Sequence, residues 1–280
     1  MSLQFIMGNS GSGKSYCLYD TVVREAIENP DKNYLVIVPE QFTMQTQKDL
    51  CLAHPKGGIM NIDVLSFGRL AYRVFEEVGQ DARVVLDDEG KNLVLRKIAG
   101  ECEKDLKVFK GNLKKQGYIS EVKSVLSEFA QYGVDFERLD DFMKEVPPES
   151  YLHYKLDDIR TIYEKFEEYL SEKYITKEEM LDVLSDAVPY SDILKGSVVA
   201  MDGFTGFTPV QNRLIGELFS VCEKVMITVT MDGRENPYVY EHPYQIFALG
   251  KQMVTSLMKI AGEKKTEIEE PICLFERPVY

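Results

Sequence analysis

The chain of 280 residues carries a formal net charge of −13 and only three histidines, and its five cysteines include no Cys-x-x-Cys pair. The net charge argues against a surface covered with basic residues that bind nucleic acid, and the few histidines and scattered cysteines argue against a zinc site or a disulfide framework. No apolar run approaches the ~20 residues that span a bilayer, and the first residues lack a signal-peptide pattern, so we expect a cytoplasmic protein with no membrane partner.

The first predicted elements are a strand and a helix on either side of a glycine-rich segment. The strand is the apolar run Leu3–Met7, and after Ser15 apolar residues recur at three- and four-residue spacing, as on one face of a helix. The segment between them has the pattern Gly, four residues, Gly-Lys-Ser, which is typical of a phosphate-binding loop in this context. Its residues, all predicted to bind the nucleotide, are Gly8, Asn9, Ser10, Gly11, Ser12, Gly13, Lys14 and Ser15.

The residue types in this loop fit the chemistry of a nucleoside triphosphate. Glycines let consecutive backbone N–H groups point at phosphate oxygens, and the following helix adds its positive N-terminal end. Lys14 is placed to reach the β- and γ-phosphates, and the Ser15 hydroxyl to ligate Mg²⁺. The pattern therefore predicts ATP and Mg²⁺ as cofactors, and the alternative is a glycine-rich turn that binds no ligand.

The second predicted strand is the continuous apolar run Tyr34–Val38, which suits a strand buried on both faces of a parallel sheet. Loops at the carboxyl ends of parallel strands are where such folds bind ligands. Gln41, Phe42 and Thr43 in the following loop are therefore placed to touch a second substrate. The alternative, with equal weight, is that Thr43 is a helix N-cap and Phe42 packs in the core.

A third extended segment, Ile59–Leu65, leads through Ser66 into a helix that reaches Phe75. The alternation of strand and helix then stops, and the pattern from residue 86 to 187 is helical throughout, which indicates an inserted subdomain. We predict a P-loop domain formed by residues 1–85 and 191–280 and a helical insertion at 86–190. The predicted helices of the insertion are Asp88–Ala99, Ile119–Tyr132, Tyr151–Lys173 and Lys177–Ala187.

A group of lysines precedes the second helix of the insertion. Spacings of three and four residues would place several of them on one helical face. The simpler interpretation is a solvated face, and the alternative is a stripe that contacts phosphates. The lysines are Lys104, Lys107, Lys110, Lys114 and Lys115.

The predicted sheet resumes at Ser197–Asp202, an apolar strand that ends in a carboxylate. P-loop proteins use such an aspartate to hold Mg²⁺, so Asp202 is the candidate metal residue, and the alternative is a turn or helix-cap residue. A helix over Val210–Cys222 and a further strand over Lys224–Thr230 follow.

Four segments of the chain together resemble a known protein family. The P-loop, the run 38–47 (VPEQFTMQTQ), the run 66–75 (SFGRLAYRVF) and the run 201–211 (MDGFTGFTPVQ) occur in the order seen in superfamily 1A helicases, and more closely in the AddB (RexB) family. In the last run Asp202, Phe204, Pro209 and Gln211 match helicase motif II. Pro39–Thr43 resembles helicase motif Ia, and Leu65–Phe75 (LSFGRLAYRVF) resembles motif Ib.

The resemblance implies a fold, partners and a process. The fold would be a RecA-like P-loop NTPase, an α/β parallel sheet with an inserted all-helical subdomain. AddB proteins pair with an AddA-type motor and nuclease subunit, process double-strand DNA ends for recombinational repair, and help to recognise a regulatory sequence in single-stranded DNA. Their nuclease domain, with its iron–sulfur cluster, would lie far beyond residue 280. The DNA-contact candidates are Gln41, Phe42, Thr43, Ser66, Phe67 and Arg69.

Departures from the helicase motif predict weak catalysis. Gly203 stands where an active helicase has the glutamate that orients the attacking water, and Thr205 and Gly206 replace the next Gln and Asp. We therefore expect ATP binding with little turnover, because positioning of the water is much of the catalysis.

Two other functions fit the same loop. One is a small-molecule kinase with the insertion as its lid, although Arg138 and Arg160 in an acidic surround make a poor phosphate clamp. The other is a non-hydrolysing scaffold in which ATP only fixes the geometry of the domain.

Overall fold

A computed structural model describes residues 1–79, 83–112, 115–171 and 173–275. The chain divides into two compact units, one formed by residues 1–80 and 181–280 and the other by residues 81–180. The predicted helical insertion spans residues 86–190, so the second unit begins and ends slightly earlier in the sequence. Among the described residues, no helix has both the length and the apolar character needed to cross a bilayer.

The first unit is built on a parallel sheet of seven strands within the described residues. The strands run in the spatial order β3-β2-β6-β7-β1-β8, and β9 also pairs with β1. Every pairing in this sheet is parallel, so the carboxyl ends of its strands lie at one edge. The strands are β1 (Ser2–Gly8), β2 (Tyr34–Ile37), β3 (Ile62–Leu65), β6 (Val198–Met201), β7 (Lys224–Thr230), β8 (Glu267–Ile268) and β9 (Ile272–Leu274).

Helices of the first unit connect these strands. They are α1 (Lys14–Glu28), α2 (Thr43–Ala53), α3 (Phe67–Val78), α9 (Pro209–Val221) and α10 (Ala248–Lys264). One face of α1 packs on the sheet, where Leu18 and Val22 meet Ile6, Ala200 and Met226 from β1, β6 and β7 in a fully buried cluster. Because side chains alternate along a strand, the residues two positions further on, Asp202 and Thr228, belong to this same face.

The second unit consists mainly of helices around its own buried cluster of aliphatic and aromatic side chains. Its elements are β4 (Val84–Leu86), α4 (Asp88–Glu101), α5 (Gln116–Tyr132), α6 (Phe136–Glu145), α7 (Tyr151–Leu170) and β5 (Tyr174–Thr176). Helix α8 (Lys177–Ala187) begins in the second unit and ends in the first. Strands β4 and β5 form a parallel pair. The predicted class, an α/β parallel sheet with helical insertions, is confirmed, and the structure adds this short pair to the predicted helical insertion.

The prediction that the lysine group shares a helical face is wrong. Helix α4 ends at Glu101 and α5 begins at Gln116, so Lys104, Lys107 and Lys110 lie in turns between two helices. Lys114 lies outside the described residues. The turns are held by the buried carboxylate of Asp158, which accepts hydrogen bonds from the backbone N–H groups of residues 107, 108 and 109.

Candidate nucleotide-binding site

The glycine-rich loop connects β1 directly to the first turn of α1. Gly11 and Gly13 have φ values of 75° and 87°, in the left-handed region that favours glycine. Gly13 is the N-cap of α1 and supplies no side-chain acceptor to the N–H groups of the first turn. These N–H groups and the positive end of the helix dipole are therefore available to an anion.

The interior of the loop has no room for a side chain at Gly8. A Cβ atom added there would collide with Ser12 Oγ and come within 2.8 Å of the carbonyl oxygen of Leu274. Ser12 Oγ is itself buried and has no hydrogen-bond partner among the described residues. A buried hydroxyl without a partner is costly, and a phosphate oxygen would satisfy it.

Lys14 extends over the same loop. Its Nζ donates a hydrogen bond of 2.7 Å to the carbonyl oxygen of Asn9. Burial lowers the pKa of Lys14, and the negative charge of Asp202 acts in the opposite direction. Lys14 and Asp202 are thus electrostatic neighbours, as a shared phosphate and metal site requires.

Asp202 follows β6 and is 8% exposed. Its Oδ1 accepts a hydrogen bond of 2.6 Å from the Thr228 hydroxyl of β7, and its Oδ2 accepts one of 2.8 Å from the Tyr19 hydroxyl of α1. Burial and the Asp202 carboxylate raise the pKa of Tyr19 far above its usual value, so that hydroxyl stays protonated and donates. The site thus contains a fixed carboxylate, held by residues that the sequence analysis did not select.

A metal ion would depend on the nucleotide for part of its coordination. Ser15 is exposed in the first turn of α1, at the same sheet edge as Asp202. Among the described residues, no three His, Cys, Asp or Glu side chains are grouped to hold a metal. One hydroxyl, from Ser15, and one carboxylate, from Asp202, fit Mg²⁺, which is commonly bound by one or two carboxylates together with substrate phosphates and waters.

The residues after β2 form a turn before α2. Gln41 and Phe42 are exposed, whereas Thr43 is buried and its hydroxyl donates to the carbonyl oxygen of Glu40 at 3.0 Å. Phe42, not Thr43, is at the N-cap position of α2, and Phe42 is 47% exposed. The alternative with a Thr43 cap and a core Phe42 is therefore wrong.

The segment after β3 contacts this turn through Glu40. Ser66 caps α3 and donates its hydroxyl to the Glu40 carboxylate, and the Arg69 Nε donates to the same group at 3.2 Å. Phe67 is buried, with its ring centroid 5.4 Å from that of Phe204 and 6.3 Å from that of Phe207. The structure therefore brings the motif Ia-like, Ib-like and II-like segments together at one edge.

Gln211 has a structural role at the start of α9. Its side-chain oxygen accepts the backbone N–H of Thr208 at 2.9 Å, while the Thr208 hydroxyl accepts the backbone N–H of Gln211. The pair is a capping box. The Thr-Pro-x-Gln spacing at the start of an apolar helix could have predicted it.

Sequence reasoning missed Tyr19, Thr228 and Glu40 as members of this site. Tyr19 fits the apolar face of α1, and Thr228 lies within an apolar strand, so both are typical of core positions. Their common contact depends on which strands are neighbours, which local spacing does not reveal.

Comparison with known proteins identifies the family of the chain. A family model described as "ADDB, N-terminal" matches residues 5–279. Similar relatives include the B-type subunit of the ATP-dependent helicase/deoxyribonuclease of Lachnoclostridium phytofermentans, 46% identical over 97% of this chain and 24% of the relative. Proteins of the same name from Clostridium tetani and Clostridium acetobutylicum are each 34% identical over 100% of this chain and 24% of the relative. The chain thus spans about a quarter of the length of these relatives, and it belongs to the AddB N-terminal family.

Proposed function

We propose that this chain is the ATP-binding, helicase-like amino-terminal part of the AddB-type subunit of an ATP-dependent helicase/deoxyribonuclease. The complex would process double-strand DNA breaks for recombinational repair in the cytoplasm. One observation carries the ATP-binding role. At the sheet edge where Asp202 is fixed lies a loop with two left-handed glycines, Lys14 and a buried Ser12 hydroxyl that has no hydrogen-bond partner among the described residues.

Each group in the site has a proposed task. The backbone N–H groups of residues 8–15 and the Ser12 hydroxyl would donate to phosphate oxygens, and Lys14 would neutralise the β- and γ-phosphates. The Ser15 hydroxyl and Asp202, the latter directly or through water, would hold Mg²⁺. The bound ion would offset the charge of the phosphates.

Hydrolysis by this site is proposed to be slow. Gly203 is exposed at the position of the helicase glutamate, and its φ of +78° is one that glutamate rarely adopts. Because Gly203 has no side chain, it cannot orient the attacking water molecule as the glutamate does. Motor activity would then depend on an AddA-type partner in a heterodimer, and the iron–sulfur cluster expected for the family would belong to the remainder of the full-length protein.

The DNA-binding role is proposed for the edge that carries the motif Ia- and Ib-like segments. Gln41 and Phe42 offer an exposed amide and an exposed aromatic ring, and rings stack on unpaired bases of any sequence. Thr43, Ser66, Phe67 and Arg69 would support or extend this surface. The proposed substrate is single-stranded DNA and duplex ends, as the family resemblance implies; the name of the relatives, helicase/deoxyribonuclease, supports action on DNA.

A small-molecule kinase is less well supported by the described residues. The Arg160 guanidinium is paired with Asp140 at 2.5 Å and with Glu164 at 3.5 Å, while the side chain of Arg138 donates to the carbonyl oxygen of Gly133. These two arginines are thus engaged within their own unit. A non-hydrolysing ATP scaffold remains compatible with Gly203 and with the AddB role.

ATP titration of the unsubstituted chain and of Lys14→Ala tests the proposal. Loss of the charge-assisted hydrogen bonds of Lys14 should weaken ATP binding by at least about 10-fold. Lys259→Ala, which removes an exposed lysine of α10, is the control and should bind ATP normally. Equal ATP affinity in the Lys14→Ala and unsubstituted proteins would contradict the ATP-binding role, and fast phosphate release would contradict slow hydrolysis.

A further inference from the structure

Three buried polar residues interrupt the apolar face between α1 and the sheet at its carboxyl edge. Tyr19, Asp202 and Thr228 are 9%, 8% and 5% exposed, and they come from α1, the end of β6 and β7. Each oxygen of the Asp202 carboxylate accepts one hydroxyl hydrogen bond, at 2.6 Å from Thr228 and 2.8 Å from Tyr19. The Tyr19 oxygen also lies 3.2 Å from the Thr46 hydroxyl of α2.

The number of lone-pair positions on the Asp202 carboxylate decides whether it can still bind a metal ion. An ionised carboxylate has about four lone-pair positions, and two of them are used by the hydroxyls. The remaining positions can still accept a metal ion or a water of its shell. Because the two donors come from a helix and a strand that are packed against each other, they leave the carboxylate little freedom to rotate.

We propose that Tyr19 and Thr228 are positioning residues that fix the Asp202 carboxylate for Mg²⁺ bound with the nucleotide. This inference rests on the proposed ATP-binding function. Hydrogen bonds to a ligating carboxylate orient it and are commonly worth 10- to 100-fold in metal affinity. Tyr19 would also link the metal site to the helix that begins at the phosphate-binding loop.

A purely structural explanation makes a different prediction. Two hydroxyls could simply satisfy a buried charge, which is expensive to leave without partners. In that case their removal would lower the stability of the fold and would leave the Mg²⁺ dependence of nucleotide binding unchanged. The discriminating quantity is therefore the ratio of ATP affinities measured with Mg²⁺ and with a chelator.

The experiment measures this ratio for the 280-residue chain, for three test variants and for one control variant. Tyr19→Phe removes only the hydroxyl, Thr228→Val replaces the hydroxyl by a methyl of similar volume, and Thr228→Ser restores it. Tyr34→Phe is the matched control, because Tyr34 is also buried under α1 but begins β2 at the opposite edge of the sheet.

We expect Tyr19→Phe and Thr228→Val to lower the ratio by about 10-fold or more, with Thr228→Ser and Tyr34→Phe close to the unsubstituted protein. Affinity in the chelator should stay unchanged, since the loop itself is intact. Ratios unchanged in both Tyr19→Phe and Thr228→Val, or a ratio near one in the unsubstituted chain, would overturn the positioning role alone. Absence of ATP binding by the unsubstituted chain under both conditions would overturn the proposed function as well.

Discussion

Gly203 shows how one backbone conformation can limit the chemistry of a site. The residue follows Asp202 directly and has a φ of +78°. A Cβ atom there would approach Pro39 and Phe42 at ordinary contact distances, so space is available, and the obstacle is the left-handed backbone. For an L-residue that conformation costs roughly 1–2 kcal/mol.

Restoring the helicase glutamate should therefore fail to restore catalysis. We predict that Gly203→Glu lowers the free energy of unfolding by about 1–2 kcal/mol and leaves phosphate release near the unsubstituted rate. Thermal unfolding and phosphate release measure the two effects. Gly206→Glu is the control, because Gly206 is outside the left-handed region and an added Cβ has no neighbour within 4 Å. Brisk turnover in Gly203→Glu would show that the strain is readily relieved.

Among elements, the segment between α4 and α5 is held by a side chain from α7. Asp158 is 1% exposed, and its carboxylate accepts the N–H groups of residues 107, 108 and 109 at 2.7–2.8 Å. The N–H of Phe109 is buried and those of Lys107 and Val108 are partly buried, so Asp158 satisfies donors that have limited access to water. The side chain of the neighbouring Asp157 makes an exposed ion pair with the Lys107 side chain.

Removing these two carboxylates should have very different effects. Asp158→Ala leaves several backbone donors without an acceptor, so we predict a loss of about 3 kcal/mol in the free energy of unfolding. Asp157→Ala should cost less than about 1 kcal/mol, as exposed ion pairs usually do. Chemical denaturation of both variants gives the comparison, and equal losses would mean that Asp158 does not hold the segment.

The strands, helices and turns differ in how far the sequence could predict them. Strands such as β2 and β6 are continuous buried runs, and the phosphate-binding loop has a spacing that depends on local conformation, so both are predictable. Helix α6 is missing from the predicted elements because, of its ten residues, only Leu139 is fully buried. The lysines at residues 104–110 have helical spacing in the sequence, but these residues form turns. The turns are held by Asp158, an acceptor distant in the sequence that local spacing does not reveal. The hydrogen bonds from Tyr19 and Thr228 to Asp202 likewise could not be predicted, because they depend on β6 and β7 being neighbours in the sheet.

At the scale of the whole chain, a pair of carboxyl groups makes stability depend on pH. In the second unit Glu167 is close to Glu179, and burial together with that carboxylate raises the pKa of Glu167 from 4.5 to about 7. The folded chain therefore binds an extra proton between about pH 4.5 and 7. Since the unfolded chain lacks it, this contribution to stability is complete below pH 4.5 and is lost as pH rises through 7.

Glu167→Gln should remove that dependence. We predict that the melting temperature of the variant, relative to the unsubstituted chain, increases as pH is raised from 5 to 8. Thermal unfolding over this range measures the difference, which separates Glu167 from carboxylates such as Asp140 whose pKa is lowered by Arg160. A difference that does not change with pH would contradict the raised pKa.

The acidic balance of the chain also restricts how it could bind DNA. With a net charge of −13, attraction to phosphates must be local, and the exposed Gln41 and Phe42 point to contacts with bases as much as with the backbone. The first unit would then present nucleotide and DNA sites at the same edge of one sheet.

The central claim is that residues 8–15 enclose a polyphosphate opposite Asp202. The most direct test is an experimental structure of the chain with Mg²⁺ and a non-hydrolysable ATP analogue. We predict phosphate oxygens within hydrogen-bond distance of the loop N–H groups, Ser12 Oγ and Lys14 Nζ, with the metal on the side of Asp202. A nucleotide bound elsewhere, or a loop that holds no phosphate at saturating analogue, would contradict the claim.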